Sequence, residues 1–424
     1  FLIYALVLTI LNYYYSLIEL LLQTKYLFSK NKFSKKSYFF LFLNHSNING
    51  FTKNKNYGVV SSVYEINKNY LKTQDNFNFY HTVHSIPNVK IKNIEIKSCN
   101  NFLPNITSLY IFFKCLFWLH YYFIISFLLI FFNKWHYGIM LYEKYKSIRI
   151  LFHNHDNFSE KYFYPHANFI YKPLWALELE NKGSKVIQYY YSISNEAYEL
   201  NQKIYRYKMG FNLMTWKNYY AWDKFHKDFI ISNCLHSNPD ILVCGPISHR
   251  FYDNNINILN NSVLCFDVQP HRYSEYIRYR HPYYGDLKNI RWNDAIIKFI
   301  KESFEISNQF KCNFGLKRKR SLDNQYKYLS DKKYNNNLNR LNNANDNFYE
   351  INSEVDPHQL FSDVNKIKLV ICLPFTSVSY IAKYYGIPVI FYDPFDMVPN
   401  KTYITREIPL IRSKKELYSY FKSL

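Results

Sequence analysis

Glycine is scarce in this chain: 424 residues contain nine. None falls in a GxGxxG or GxxxxGK(S/T) pattern, which excludes the glycine-cradled dinucleotide and P-loop sites. Cysteine is sparse too. There are seven, an odd number, with no CxxC pair. Cys244 in ILVCG and Cys372 in VICLP sit inside apolar runs, as buried reduced thiols of a cytoplasmic domain do, so neither a disulfide framework nor a metal cluster is expected. Acidic residues are the minority charge, 32 against 53 basic, for a net charge of +21. That excess favours anionic partners such as membrane surfaces or phosphorylated substrates. The bases are scattered, with no zinc-finger spacing and no RNP-like aromatic motif, so nucleic acid is not an expected partner. Aromatics are abundant, 44 Tyr and 36 Phe, but with the many Asn and Lys they follow an AT-rich codon bias and carry no functional weight.

The texture changes along the chain. Residues 1–22 form an apolar run long enough to cross a bilayer, interrupted by Asn12 and Glu19. They lack the basic start and small-residue cleavage site of a secretory signal. Residues 26–107 are polar, with strand-like pieces such as YGVVSSVYEI (57–66). A second apolar run, CLFWLHYYFIISFLLIFF (115–132), lies within a candidate membrane helix at 108–132. Few soluble helices are apolar all round, so membrane association is expected, with the globular part cytoplasmic. Both flanks are basic, which leaves topology open.

From about Tyr145 strands alternate with helices, the α/β pattern. SIRILFHN (147–154) reads as a strand, PLWALELENKG (173–183) as a helix and KVIQYYYS (185–192) as the next strand. A second set follows: strands PDILVCGPI (239–247), SVLCFDVQP (262–270), CNFGLKRKR (312–320), KIKLVICLPF (366–375) and IPVIFYDP (387–394), with helices at 291–309, 376–386 and 414–424. The Asn-rich stretch within 321–348 reads as a surface loop or disordered insert. The expected architecture is α/β with two Rossmann-like lobes. A hydrophobic region (1–144) precedes a front, acceptor-side lobe (145–238) and a rear, donor-side lobe (239–424).

Open α/β sheets bind ligands at the carboxyl ends of their strands. Four segments are placed there. In LPFTSVSYIAKYYG (373–386), Thr376, Ser377 and Ser379 open a helix whose free N–H groups and dipole suit a phosphate; an ordinary Ser/Thr helix cap would look the same. In GLKRKR (315–320), Lys317 and Lys319 alternate with Arg318 and Arg320, so one face could meet a diphosphate and the other solvent. In FDVQPHR (266–272), Asp267, Gln269, His271 and Arg272 could bond a base, ribose or sugar, or form a polar turn around Pro270. In FHNHDNF (152–158), His153, His155 and Asp156 would face the cleft and supply a general base. The HxHD spacing also fits a metal, but no supporting ligands occur elsewhere.

As a set, these motifs resemble the bacterial polysaccharide biosynthesis proteins named for their PFTS motif. The matching stretches are KPLWALELENKGSKVIQYYYS (172–192), WDKFHKDFI (222–230), CGPI (244–247), FDVQP (266–270), LKRKR (316–320), LPFTS (373–377), YGIPVIFYDP (385–394) and IPLIRSKKEL (408–417). The resemblance implies a glycosyltransferase-B-like fold in surface-polysaccharide or lipopolysaccharide assembly. It implies a nucleotide-sugar donor held by the rear lobe, a glycan or lipid-linked acceptor, and no cofactor or metal. Two rival readings use the same scaffold: an alditol-phosphate or phosphosugar transferase, and a non-catalytic membrane-docked scaffold of an assembly complex.

Overall fold

A computed structural model describes residues 2–28, 37–71, 78–86, 88–91, 94–99, 101–166, 172–193, 199–200, 203–204, 214–253, 256–268, 292–319, 332–374, 376–396 and 407–424. Helix α1 (Leu2–Leu22) opens the chain. Strand β1 (Ser37–Phe40) is followed by α2 (His45–Thr52), α3 (Val59–Leu71), β2 (Asn78–His81), β3 (Val89–Ile91) and β4 (Ile94–Ser98). Helices α4 (Leu109–Phe131), α5 (His136–Ile139) and α6 (Leu141–Leu151) come next. Then follow β5 (Lys161–His166), α7 (Leu174–Asn181), β6 (Lys185–Tyr190), a small hairpin of β7 (Glu199–Leu200) and β8 (Lys203–Ile204), β9 (Asn218–Ala221), α8 (Lys224–Asn233) and β10 (Asp240–Val243). The front sheet has eight strands in the order β10-β9-β6-β5-β1-β2-β4-β3. All its neighbours run parallel except β3 on β4.

The rear lobe holds β11 (Ser262–Phe266), α9 (Trp292–Gln309), β12 (Asn313–Lys317), α10 (Lys332–Ala344), β13 (Phe348–Ile351), α11 (Pro357–Leu360), β14 (Ile367–Cys372), α12 (Ser377–Tyr384), β15 (Val389–Tyr392), β16 (Leu410–Ile411) and α13 (Lys414–Ser423). Its six strands run in the order β13-β12-β11-β14-β15-β16, all parallel. β11 and β14 lie at the centre and are buried almost throughout, which is why VLCF and LVIC read as apolar runs without alternation. Gly386 adopts φ 72° just past α12, the left-handed step that ends the helix and feeds β15. The chain is thus α/β, with two sheets of mostly parallel strands.

Four segments fold differently from the sequence reading. SIRILFHN is not a strand: residues 141–151 form α6, with Tyr145, Ile148 and Arg149 packed inward against α1 and α4. YGVVSSVYEI is likewise helical within α3, where Val59, Val63 and Ile66 share one buried face. The Asn-rich stretch contains α10, whose Tyr334 and Leu338, four residues apart, are buried in the core. PDILVCGPI supplies β10, a half-exposed edge strand of the front sheet. The lobes also divide elsewhere than expected. Residues 37–98, within the region read as hydrophobic and membrane-associated, supply four of the eight front strands, and the chain crosses to the rear lobe between 244 and 261.

Candidate functional site

The carboxyl ends of four adjacent rear strands, β13, β12, β11 and β14, meet at one edge of the sheet. Each delivers polar groups there. From β14 the chain turns through Leu373 and Pro374 into α12. Thr376 is the residue before that helix, but its hydroxyl bonds back to the Leu373 carbonyl at 3.2 Å and does not cap the helix. Ser379 is fully buried and donates to the Thr376 carbonyl at 2.6 Å. Ser377 reaches across to the front lobe. Its Oγ accepts the Ile193 N–H at 3.1 Å and lies 2.7 Å from Ser192 Oγ. The PFTS turn is therefore a junction between lobes as well as a helix start. Gly245, just past β10 with φ 84°, makes a second junction, because a Cβ there would lie 2.9 Å from the ring of Tyr384 on α12.

β12 delivers the basic run. Lys317 is buried and donates to the Ser353 carbonyl at 3.0 Å; burial pushes its pKa down to about 8, against the opposing pull of Asp356, Asp267 and Glu354. Arg318 points the other way and pairs with Glu350 on β13, the alternation expected of a strand. Lys319 is exposed. Arg320 lies outside the described residues.

Asp267, at the end of β11, is buried and already occupied. It accepts the Lys319 backbone N–H at 2.8 Å and the Tyr334 hydroxyl. Burial raises its pKa, while those hydrogen bonds and the nearby Arg318 and Lys317 lower it. It brackets the ends of β11 and β12 and ties α10 to them. Gln269, His271 and Arg272 lie outside the described residues.

The proposed base residues are elsewhere. His153, His155 and Asp156 precede β5, so they lie at the amino edge of the front sheet rather than facing the cleft. His153 is buried at the end of α6, with Nδ1 2.6 Å from the Arg149 carbonyl and Nε2 3.2 Å from the Asn105 carbonyl. Burial lowers its pKa. His155 and Asp156 occupy a single 3-10 turn beside Gly183, with side chains 61% and 58% exposed. The reason is the α6 correction: with a helix in place of a strand, the following loop opens at the opposite edge.

Sequence reasoning missed three residues at the rear edge. Asp356, after β13, is buried and accepts the backbone N–H groups of His249 at 3.1 Å, Arg250 at 2.8 Å and His358 at 2.9 Å. It thereby holds the crossing segment against the rear lobe. His249 stacks on Tyr191 of the front lobe, ring centroids 4.6 Å apart, and burial pushes its pKa down to about 4. His358 is buried and sits 3.2 Å from the Tyr385 hydroxyl through Nδ1. Among the described residues, His249 Nδ1 and His358 Nε2 are buried without a hydrogen-bond partner. The sequence signals were SHR after CGPI and DPH ahead of β14. No group of three or more metal-ligating side chains occurs among the described residues.

Residues 123–421 match the family described as Polysaccharide biosynthesis PFTS motif protein. The chain belongs to that family. The match begins inside α4 and covers both halves of the lobe junction, so Thr376, Ser377 and the front-lobe partners of Ser377 are all within it. No curated protein matches this PFTS motif protein. Among solved structures it is similar to the wall teichoic acid polymerase TagF, at 11% identity and TM-score 0.44, over 97% of this chain and 88% of that one. It is also similar to a UDP-glucosyltransferase from Polygonum tinctorium, at 8% identity and TM-score 0.36, over 92% and 83%. A third is the glycotransferase of kitacinnamycin, at 8% identity and TM-score 0.36, over 90% and 88%.

Proposed function

We propose that this protein transfers a sugar from a nucleotide-linked donor to a glycan or lipid-linked acceptor in surface-polysaccharide assembly, working at the cytoplasmic face of a membrane. The observation that carries the reading is the junction at Ser377: a helix N-terminus at the carboxyl end of a central parallel strand, bonded to the opposite lobe. Such an edge suits the diphosphate of the donor. The N–H groups of α12 and the exposed Lys319 at the end of β12 offer the leaving nucleotide fixed positive charge, so the reading calls for no cofactor or metal. His358 Nε2 supplies a buried polar atom beside that helix. The acceptor hydroxyl needs a neutral imidazole or carboxylate to take its proton. We assign that role to His249, the imidazole stacked at the lobe junction, in place of His153, His155 and Asp156.

The test is calorimetry of the full chain with nucleotide diphosphates and nucleotide sugars, in the wild type and in a Thr376→Ala/Ser377→Ala double variant. Binding by the wild type, weakened about tenfold or more in the variant, supports the reading; roughly 1 kcal/mol per lost hydrogen bond gives that scale. No nucleotide binding by the wild type would leave the scaffold reading standing. Product analysis separates the other rival: a glycosidic bond supports sugar transfer, and a phosphodiester would replace it with phosphosugar or alditol-phosphate transfer.

A further inference from the structure

Two helices, Leu2–Tyr26 and Leu109–Phe131, are long and apolar enough to cross a bilayer. Their packing argues for a different arrangement. α1 and α4 run antiparallel: Leu20 packs in one cluster with Phe112, Tyr13 stacks on Phe123 at 4.2 Å, and its hydroxyl meets His120 at 2.8 Å. The α5–α6 segment tracks the inner side of this hairpin. Gly138 sits so close to Thr9 that a Cβ would lie 1.8 Å from its hydroxyl. Asn12 donates to the Ile139 carbonyl at 2.9 Å. Glu19 pairs with fully buried Arg149 at 2.5 Å and accepts from Tyr142 at 2.7 Å. Asn12 and Glu19, the two residues that interrupt the first apolar run, are therefore satisfied by α5 and α6 and do not face outward.

α6 in turn is fastened to the front lobe. Glu143 accepts the Leu174 N–H at the start of α7 at 3.1 Å, and Lys182 donates to the Leu151 carbonyl at 2.9 Å. A bilayer-crossing hairpin would carry this helix, with Glu143, Lys144, Lys146 and Arg149, into hydrocarbon, where ionisable groups are costly. The opposite side of the hairpin is apolar from end to end. Ile3 is 77% and Phe117 65% exposed, and Val7, Leu11, Ile18, Phe113, Ile124 and Leu128 continue the same face. The only acidic residue in α1, α4 or the turn after α4 is the paired Glu19. Lys25 after α1, Lys114 in α4 and Lys134 after α4 leave the hairpin with a net positive charge that complements anionic headgroups.

We infer that α1 and α4 lie together in the plane of one leaflet of an anionic phospholipid membrane, apolar face down, with α6 and the lobes on the water side and neither helix crossing. This rests on the membrane reading above and specifies its geometry. A protein seated this way keeps its lobe junction at a fixed height over the surface, where a lipid-linked acceptor would present its head.

The experiment is impermeant-maleimide labelling of the full chain expressed in bacteria, using inverted and right-side-out inner-membrane vesicles. Lys134→Cys reports the far tip of the hairpin, and Ser423→Cys reports the rear lobe. Both positions are exposed, and the unsubstituted chain gives the background of the native thiols. The result expected is that both label from the same face. Labelling of Lys134→Cys only from the face opposite Ser423→Cys would show a crossing hairpin and overturn the inference. Absence of the protein from the membrane fraction would instead overturn the membrane reading beneath it. A Phe117→Asp/Ile124→Asp variant, altered only at exposed positions, should lose at least tenfold of its binding to vesicles containing phosphatidylglycerol. Unchanged binding would overturn the proposed face.

Discussion

The Ser377 hydroxyl accepts the backbone N–H of Ile193 at 3.1 Å, joining the helix that follows β14 to the loop that follows β6. One hydroxyl thus serves two lobes. Ser377→Ala removes this bond and the contact with Ser192, leaving the Ile193 N–H without that partner. Amide exchange at Ile193 should speed up about five- to tenfold, the scale of one hydrogen bond near 1 kcal/mol, while exchange in β14 stays unchanged. Ser377→Thr keeps the oxygen and should restore protection. Hydrogen-exchange mass spectrometry reads both.

Asp267 is a bracket between strand ends. Asp267→Ala removes the buried carboxylate that accepts from the Lys319 N–H and the Tyr334 hydroxyl. The expected loss is about 3 kcal/mol of stability, larger than for Tyr334→Phe at about 1 kcal/mol, because the latter removes one donor and leaves the carboxylate its backbone bond. Chemical denaturation compares the two. A loss for Asp267→Ala no larger than that for Tyr334→Phe would return Asp267 to the list of ligand-binding residues.

His155 and Asp156 sit exposed at the amino edge of the front sheet. Substituting both with alanine should leave turnover in the proposed reaction within about twofold of wild type and stability within about 0.5 kcal/mol, as for surface positions generally. A hundredfold drop in turnover would restore them as catalytic candidates.

The rear lobe was readable because its signals are local. KIKLVICLPF is an apolar run too short for a helix, Gly386 marks the end of the next element, and IPVIFYDP repeats the pattern. SIRILFHN carries a shorter apolar run, Ile150 to Phe152, and α1 and α4 offer its Ile148 and Arg149, with Tyr145 just ahead, a helical packing surface, so tertiary contacts decide against a strand. The PFTS turn was likewise legible as a helix start at a strand end. Its bond to Ile193 was not, since that partner is a backbone N–H 184 residues away. Asp356 escaped for the same reason: it acts on the backbone of residues 249 and 250, and backbone groups leave no trace in sequence.

Lys317 makes stability depend on pH in the alkaline range. Its folded pKa is about 8, below the ordinary 10.5, so between these values the unfolded chain holds a proton that the folded chain has released. Stability contributed by this site therefore rises with pH across that window. From pH 7.5 to 9.5 the wild type should gain about 2 kcal/mol relative to Lys317→Met, measured by urea unfolding at each pH. Parallel curves would place Lys317 in contact with water.

His249 sets the acid limit and tests the catalytic reading in one variant. Its folded pKa of about 4 lies below the ordinary 6.5, so as pH falls between these values the unfolded chain takes up a proton that the folded chain refuses. Stability falls with pH through that window. His81, also pushed down to about 4, adds a similar slope, so the comparison must be between wild type and His249→Phe, which keeps a ring on Tyr191. At pH 4.5 the wild type should have lost about 2 kcal/mol more than the variant, relative to pH 7.5. If His249 is also the base, His249→Phe should lower turnover at pH 7.5 by about a hundredfold or more, with donor affinity unchanged. A variant that flattens the stability curve yet turns over normally would leave His249 a buried interface residue and move the search for the base to His358, whose Nε2 is the other buried imidazole nitrogen without a partner at this edge among the described residues.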